Sequence, residues 1–253
     1  MNEFVVAERQ GALLKLCLQR PEKYNALTNA MYEALADALI AAEANEEVQA
    51  VLLSGSTTCF TSGNDLRDFL ENPPSALDAP AFRFMEAVIN LSKPLVAAVC
   101  GPAIGIGSTL LPHCDQVFIT RQSKLSMPFV ALGLCQEFGA SLTFTSLLGP
   151  VRAARLLFSG ELFNGQQALD WGLANAAFDD GESCLSAAHD YANQLLTQPQ
   201  AALRQCKRLH RTPQREALRS IMREENLAFI DSLRNPQTRE AIEAVLARSK
   251  SRT

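Results

Sequence analysis

Residues 95–111, LVAAVCGPAIGIGSTLL, constrain this chain more than any other stretch. An apolar run suited to a buried strand breaks at Gly101 and Pro102, and after Gly105 and Gly107 the pattern reads as the start of an apolar helix. The first N–H groups of such a helix have no intrahelical acceptor. The helix dipole also makes that end attractive to a ligand oxygen carrying negative charge. The same glycines equally serve to turn a strand tightly into a packed helix. Taken alone, the stretch leaves both readings open.

Segments 4–8 and 11–18 read as two short strands, with alternation at Leu14, Leu16 and Leu18. Pro21 keeps the polar stretch RPEKYNALT out of a regular central strand. Thr28 or Asn29 is placed to cap a helix with Met31, Leu35, Leu39 and Ala42 on one face, and 48–54 reads as a buried strand. The small polar residues of GSTTCFTSGNDL, 55–66, form a loop, and ENPPSALDAP a mobile connection. A helix over 81–91 ends at Lys93–Pro94, strands follow over 115–120 and 124–127, and PFVALGLCQEFGAS leads into a long apolar helical region. From Ser183 the pattern is helical, with one face carrying Leu218, Met222, Phe229 and Leu233 and the next Ile242, Val245 and Leu246. Strands alternating with helices predict an α/β layer fold, and 253 residues at 47% hydrophobic bury a substantial core.

Several chemistries find no support. No apolar run is long enough to span a membrane, and MNEFVVAERQ lacks the pattern of a signal peptide, so the chain reads as soluble and unexported. The seven scattered cysteines suit reduced core thiols. His113, His189 and His210 stand in no ligand motif, so no metal site is expected. Leu110 occupies the third-glycine position of a dinucleotide fingerprint, and no GxSxG elbow exists. The net charge of −4 hides an asymmetry: from Arg204 onward there are twelve Lys or Arg against six Asp or Glu, and before it eleven against twenty-one. Such a tail suits a phosphate-bearing ligand, nucleic acid, an acidic face of another subunit, or simply solvated helix faces. Without interleaved aromatics, nucleic acid is the weaker reading.

RPEKYNAL, CFTSGNDL, KPLVAAVCGPAIGIG, DQVFITRQSKLSMPFVALGL and SGELFNGQQALDWGLAN, in that order and over nearly the whole chain, resemble the signatures of the crotonase, or enoyl-CoA hydratase/isomerase, superfamily. The resemblance implies a spiral of ββα units over 1–195 and a C-terminal helical region over 196–253 that covers the site and joins subunits. It also implies a homotrimer or a dimer of trimers, an acyl-CoA thioester as substrate, and no cofactor beyond the coenzyme A which that substrate carries. Two backbone N–H groups, those of Asn64 and Ile106, would hold an enolate oxygen. Ser62, Gly63, Asp65, Leu66 and Gly107 would line the substrate path. Lys23 would lie near the nucleotide, and Lys207 or neighbouring arginines would meet phosphates.

Hydratases of this superfamily carry two glutamates; the corresponding positions here are Thr109 and Phe129. Glu137, in GLCQEFG, instead resembles the single catalytic glutamate of the Δ3,Δ2-enoyl-CoA isomerase branch. Phe129, Val130, Leu134 and Phe138 are expected to form an apolar wall that raises its basicity. Without the resemblance, Glu137 reads as a surface acid or the partner of Arg152 or Arg155. Phe138 stands where the branch would place a small residue. Dienoyl-CoA isomerisation, a lyase step, or a noncatalytic RNA- or protein-binding module are the alternatives. The terminal SKSRT, which is no peroxisomal signal, favours the cytoplasm.

Overall fold

The computed structural model describes residues 3–250. Strands β1 (Val5–Gln10) and β2 (Leu13–Leu18) pair as an antiparallel hairpin. Helix α1 (Asn29–Ala44) starts where Thr28 accepts the Met31 amide, and it buries Met31, Tyr32, Leu35, Ala36, Leu39 and Ala42. Then come β3 (Ala50–Ser54), α2 (Leu66–Glu71), α3 (Pro80–Asn90), β4 (Leu95–Val99), β5 (Pro102–Ile104), the single turn α4 (Ile106–Thr109), β6 (Gln116–Thr120) and β7 (Lys124–Ser126). The chain continues through α5 (Ala140–Leu148), α6 (Pro150–Ser159), β8 (Phe163–Asn164), α7 (Gly165–Asp170), β9 (Ala176–Phe178) and α8 (Gly181–Leu196). Helices α9 (Gln200–Arg211), α10 (Arg215–Leu233) and α11 (Pro236–Lys250) complete it.

A six-stranded sheet has the order β1-β2-β3-β4-β6-β9, parallel throughout except for the opening hairpin. Strands β3 and β4 are buried along almost their whole length because both faces are covered. Val51, Leu53, Leu95 and Ala97 join the main core, which includes α1 and α3 residues. Leu52, Val96 and Ala98 pack with Ala188 and Ala192 of α8, whose small side chains allow close approach. A second sheet, β5-β7-β8, stands apart. Successive units, β4–β5–α4 and β6–β7–α5, each give one strand to the large sheet and one to the small, so the fold is the α/β spiral of ββα units. No helix among the described residues is long and apolar enough to cross a membrane.

Three bases of α9 turn to groups of their own chain, which corrects the phosphate role expected for Lys207. Its ammonium donates to Asp115 Oδ2 at 2.7 Å and to the Lys93 carbonyl at 2.7 Å. Arg211 donates to Asp115 Oδ1 at 3.1 Å and to the carbonyls of Pro112, His113 and Cys114. Arg204 meets Glu46 at 3.0 Å. Helix α9 is therefore fastened to the body of its own chain through Asp115 and Glu46. Asp115 Oδ2 also accepts the Leu95 amide at 2.8 Å, so Asp115→Ala would strand a buried ammonium, a guanidinium and an amide at once. A loss of roughly 3–5 kcal/mol is expected, read as a lowered urea midpoint.

Candidate active site

Two loops from different ββα units run side by side. Thr61 bridges Ala103 in parallel, with Thr61 N donating to Pro102 O at 2.9 Å and Ile104 N to Thr61 O at 3.1 Å. Leu27 bridges Asn64 on the other side, through Leu27 N to Gly63 O and Asp65 N to Leu27 O, both 2.8 Å. The Gly63 amide donates to Thr61 Oγ1 at 3.1 Å and the Gly105 amide to Ser126 O at 2.8 Å. Between these satisfied groups the amides of Asn64, Ile106 and Gly107 have no acceptor among the described residues. Gly63, at φ 89°, lets the loops touch: a Cβ there would lie 2.8 Å from the Ile104 carbonyl oxygen.

The helix expected after Gly107 is only the four residues of α4, because a 3-10 turn with Pro112 near its start takes over at Leu111. So short a helix has little macrodipole, and the unpaired amides themselves remain as the attraction for an oxyanion.

Glu137 is not a surface acid. It is 1% exposed, and Oε1 has no hydrogen-bond partner. Arg155 is taken by Glu161 at 2.7 Å, and Arg152 lies over the Trp171 ring. Burial, with a smaller contribution from the charge of Glu225, pushes the Glu137 carboxyl up to about 8. The next residue, Phe138, is held at φ 61° and fully buried. Its carbonyl accepts from His113 Nε2 at 2.7 Å, and its ring stacks on the imidazole with centroids 4.0 Å apart. Burial drives His113 down to about 4, so the imidazole is neutral at physiological pH.

Tyr32 of α1 reaches the first loop. Its hydroxyl donates to Asn64 Oδ1. Burial, and then the charge of Glu137, raises this phenol well above its ordinary value, so it stays protonated as a donor. Its ring packs on Phe84 at 5.7 Å, and Phe84 meets Phe138 at 6.4 Å. Phe129 is buried with its ring against Gly105, and Phe229 of α10 lies edge-on to Phe129 and Phe69 at 6.4 and 5.6 Å. Of the residues expected to form the apolar wall, Phe129, Leu134 and Phe138 are buried, whereas Val130 is 52% exposed.

The remaining expected residues cluster around the first loop. Ser62 Oγ donates to the carbonyl of exposed Lys23 at 3.3 Å, setting Lys23 at the rim. Leu66 opens α2. The Asp65 carboxylate is already occupied: it caps α2 through the amides of Arg67 and Asp68 and pairs with Arg20 at 2.7 Å. Burial works to raise the Asp65 carboxyl, but Arg20 and those amides outweigh it and hold it below its ordinary value. That carboxylate is a structural fixture of the loop.

Comparison with known proteins fits this arrangement. The family model described as enoyl-CoA hydratase/isomerase matches residues 8–251. The chain belongs to the enoyl-CoA hydratase/isomerase family. The structure of OdaA from Pseudomonas aeruginosa is similar at TM-score 0.95 and 49% identity, covering 96% of this chain and 99% of that one. Human enoyl-CoA delta isomerase 2 is 31% identical over 230 residues, 88% of this chain but 58% of the human protein, so the chain spans little more than half of that relative. The 1,2-epoxyphenylacetyl-CoA isomerase of Escherichia coli (strain K12) is 32% identical over 206 residues, covering 79% and 78% of the two chains.

For a member of the enoyl-CoA hydratase/isomerase family the departures are visible in the structure. Thr109 is fully buried in α4 with its hydroxyl unpartnered, and Phe129 presents only a ring. Tyr32, His113 and Glu225 were not among the residues expected from sequence. Tyr32 left a usable signal, an aromatic hydroxyl beside the apolar stripe of α1. Glu225, among charged neighbours on α10, left none.

Proposed function

We propose that this chain is a Δ3,Δ2-enoyl-CoA isomerase, cytoplasmic and acting without a cofactor beyond its substrate's coenzyme A. The observation that carries the proposal is one buried carboxylate, Glu137, whose Oε1 has no partner, in a fold whose paired loops offer unpaired amides. The other positions where hydration would need a glutamate hold Thr109 and Phe129. A 3-enoyl thioester has C2 protons acidified by both the carbonyl and the double bond. Glu137 takes one; the electron pair delocalises into a dienolate whose oxygen accepts from the Asn64 and Ile106 amides. Protonated Glu137 returns the proton to C4, the carbonyl reforms, and the double bond rests between C2 and C3. Preorganised donors of this kind are typically worth about 2.7–4 kcal/mol each. The apolar wall keeps water away and the base strong.

Assembly as a trimer or pair of trimers belongs to the same proposal. It is supported by exposed apolar side chains around α6, among them Val151 at 84%, Phe158 at 68% and Leu162 at 65%. Incubation with a 3-enoyl-CoA should yield the conjugated 2-enoyl thioester, while a 2-enoyl-CoA should gain little or no water. Because Glu137 must be ionised to act, kcat/KM for isomerisation should rise with pH and level off above about 8. Hydration without isomerisation would overturn the proposal.

A further inference from the structure

Helix α10 reaches the segment around Glu137 from both sides through one residue. Upstream, Cys135 Sγ donates to the backbone carbonyl of Glu225 at 3.7 Å. Downstream, the Glu225 carboxylate accepts the Gly139 amide at 2.6 Å, the Ser141 amide at 2.9 Å and the Ser141 hydroxyl at 2.5 Å. These three bonds cap α5, whose N-cap residue, Gly139, has no side chain to do so. A local cap is disfavoured: Gly139 sits at φ 69°, where a side chain is strained, and a Cβ there would push on Leu218 Cδ1 of the same helix α10. Phe138, between the base and this cap, holds a left-handed conformation that costs an ordinary side chain about 1–3 kcal/mol and persists only where surrounding contacts enforce it. His113 enforces it from one side and Glu225 from the other.

We propose that Glu225 is the positioning residue of the catalytic base, a buried carboxylate on a C-terminal helix that clamps residues 135–141 and so fixes where Glu137 points. The inference rests on the isomerase reading for the role of Glu137. Four titratable groups face or flank Glu137: Tyr32 of α1, His113 of the turn after α4, Cys135 on its own segment and Glu225 of α10. Burial leaves the phenol and the thiol protonated and the imidazole neutral near pH 7. Burial raises the Glu225 carboxyl as well, the three donors that hold it work in the opposite direction, and its charge is the one that raises Glu137. It therefore acts on Glu137 twice, by geometry and by charge, and the two effects are separable by substitution.

Glu225→Gln removes the charge and weakens the clamp; Glu225→Asp keeps the charge and withdraws it by one methylene. Both variants should lower kcat for 3-enoyl-CoA isomerisation roughly ten- to a hundredfold with KM nearly unchanged. A second readout needs no turnover: the carboxyl carbon of Glu137, assigned by its absence in Glu137→Gln, is titrated by 13C NMR. Its midpoint should fall in Glu225→Gln and stay close to the wild-type position in Glu225→Asp. If both variants merely melt earlier, with kcat per folded enzyme and the Glu137 titration unchanged, Glu225 is a helix cap and the inference is overturned. If the wild type does not isomerise yet the titration responds as described, the clamp stands and the isomerase reading falls.

Discussion

Glu137→Gln is expected to lower kcat for 3-enoyl-CoA isomerisation by about 10³-fold or more while making the protein more stable at alkaline pH. On the proposed reaction the variant lacks the group that would take the C2 proton and return it to C4, and a positioned general base typically contributes 10²–10⁴-fold. KM should change little, because the proposal assigns the hold on the thioester to backbone amides rather than to this side chain. The gain follows from burial. Glu137 is 1% exposed with an unpartnered oxygen, and its carboxyl titrates near 8 in the fold against 4.5 when free. Between those values the folded state holds a proton that the unfolded chain has released, so wild-type stability falls as pH rises from about 4.5 to about 8. Each pH unit separating the folded from the unfolded titration midpoint is worth about 1.4 kcal/mol, which puts the penalty above pH 8 on the order of a few kcal/mol. Glutamine carries no charge to desolvate. Urea midpoints should therefore nearly coincide at pH 5 and separate at pH 9 in favour of the variant. Equal separation at both values would mean that Glu137 is not buried as an ionisable acid.

Gly63→Ala is the second large expected effect, and it acts on the amides without touching an acid. An alanine at φ 89° is strained, and its Cβ would lie 2.8 Å from the Ile104 carbonyl oxygen, a backbone atom that cannot swing aside. The 61–64 loop must then lift from the 103–106 loop and carry the Asn64 amide away from that of Ile106. Loss of one donor costs about 10²–10³-fold in kcat. Strain and overpacking add a few kcal/mol of destabilisation, on the order of 2–4. Gly11→Ala is the matched control: it also has positive φ, at 60°, but a Cβ there meets nothing within 4 Å. It should cost about 1 kcal/mol and leave turnover unchanged. Similar kinetics for the two variants would show that the contact between the loops is not what places the donors.

Where sequence and structure agree, the signal was local. Thr28 caps α1 because a hydroxyl before an apolar stripe can hardly do otherwise, and the uninterrupted apolar runs of β3 and β4 follow from a sheet covered on both faces. The two loops were legible because glycine marks where backbones must touch. What stayed hidden depends on partners distant in the chain. Lys207 shows a charge in sequence, but not that Asp115, ninety-two positions earlier, would claim it. Helix α4 ends after four residues because Pro112 shifts the chain into a tighter turn, a detail that the apolar pattern running through Leu110 and Leu111 conceals. Val130 follows Phe129 directly yet points outward, since adjacent residues in a turn diverge. Most consequentially, nothing in GLCQEFG shows that its acid is buried. The segment that carries it is held by groups distant in the chain, His113 and Phe84 on Phe138 and Glu225 on Gly139 and Ser141.

On the proposed reaction one enclosed carboxyl group carries a proton from C2 to C4 of the acyl chain. The most direct measurement is isomerisation in ordinary water of a 3-enoyl-CoA bearing two deuterium atoms at C2, with the 2-enoyl product analysed for deuterium at C4. Because Glu137 is buried against apolar side chains, the abstracted deuteron should be returned faster than it exchanges, and a substantial fraction of the product should carry it at C4. Product with deuterium at C2 only, and none at C4 from the first turnovers onward, would contradict the account.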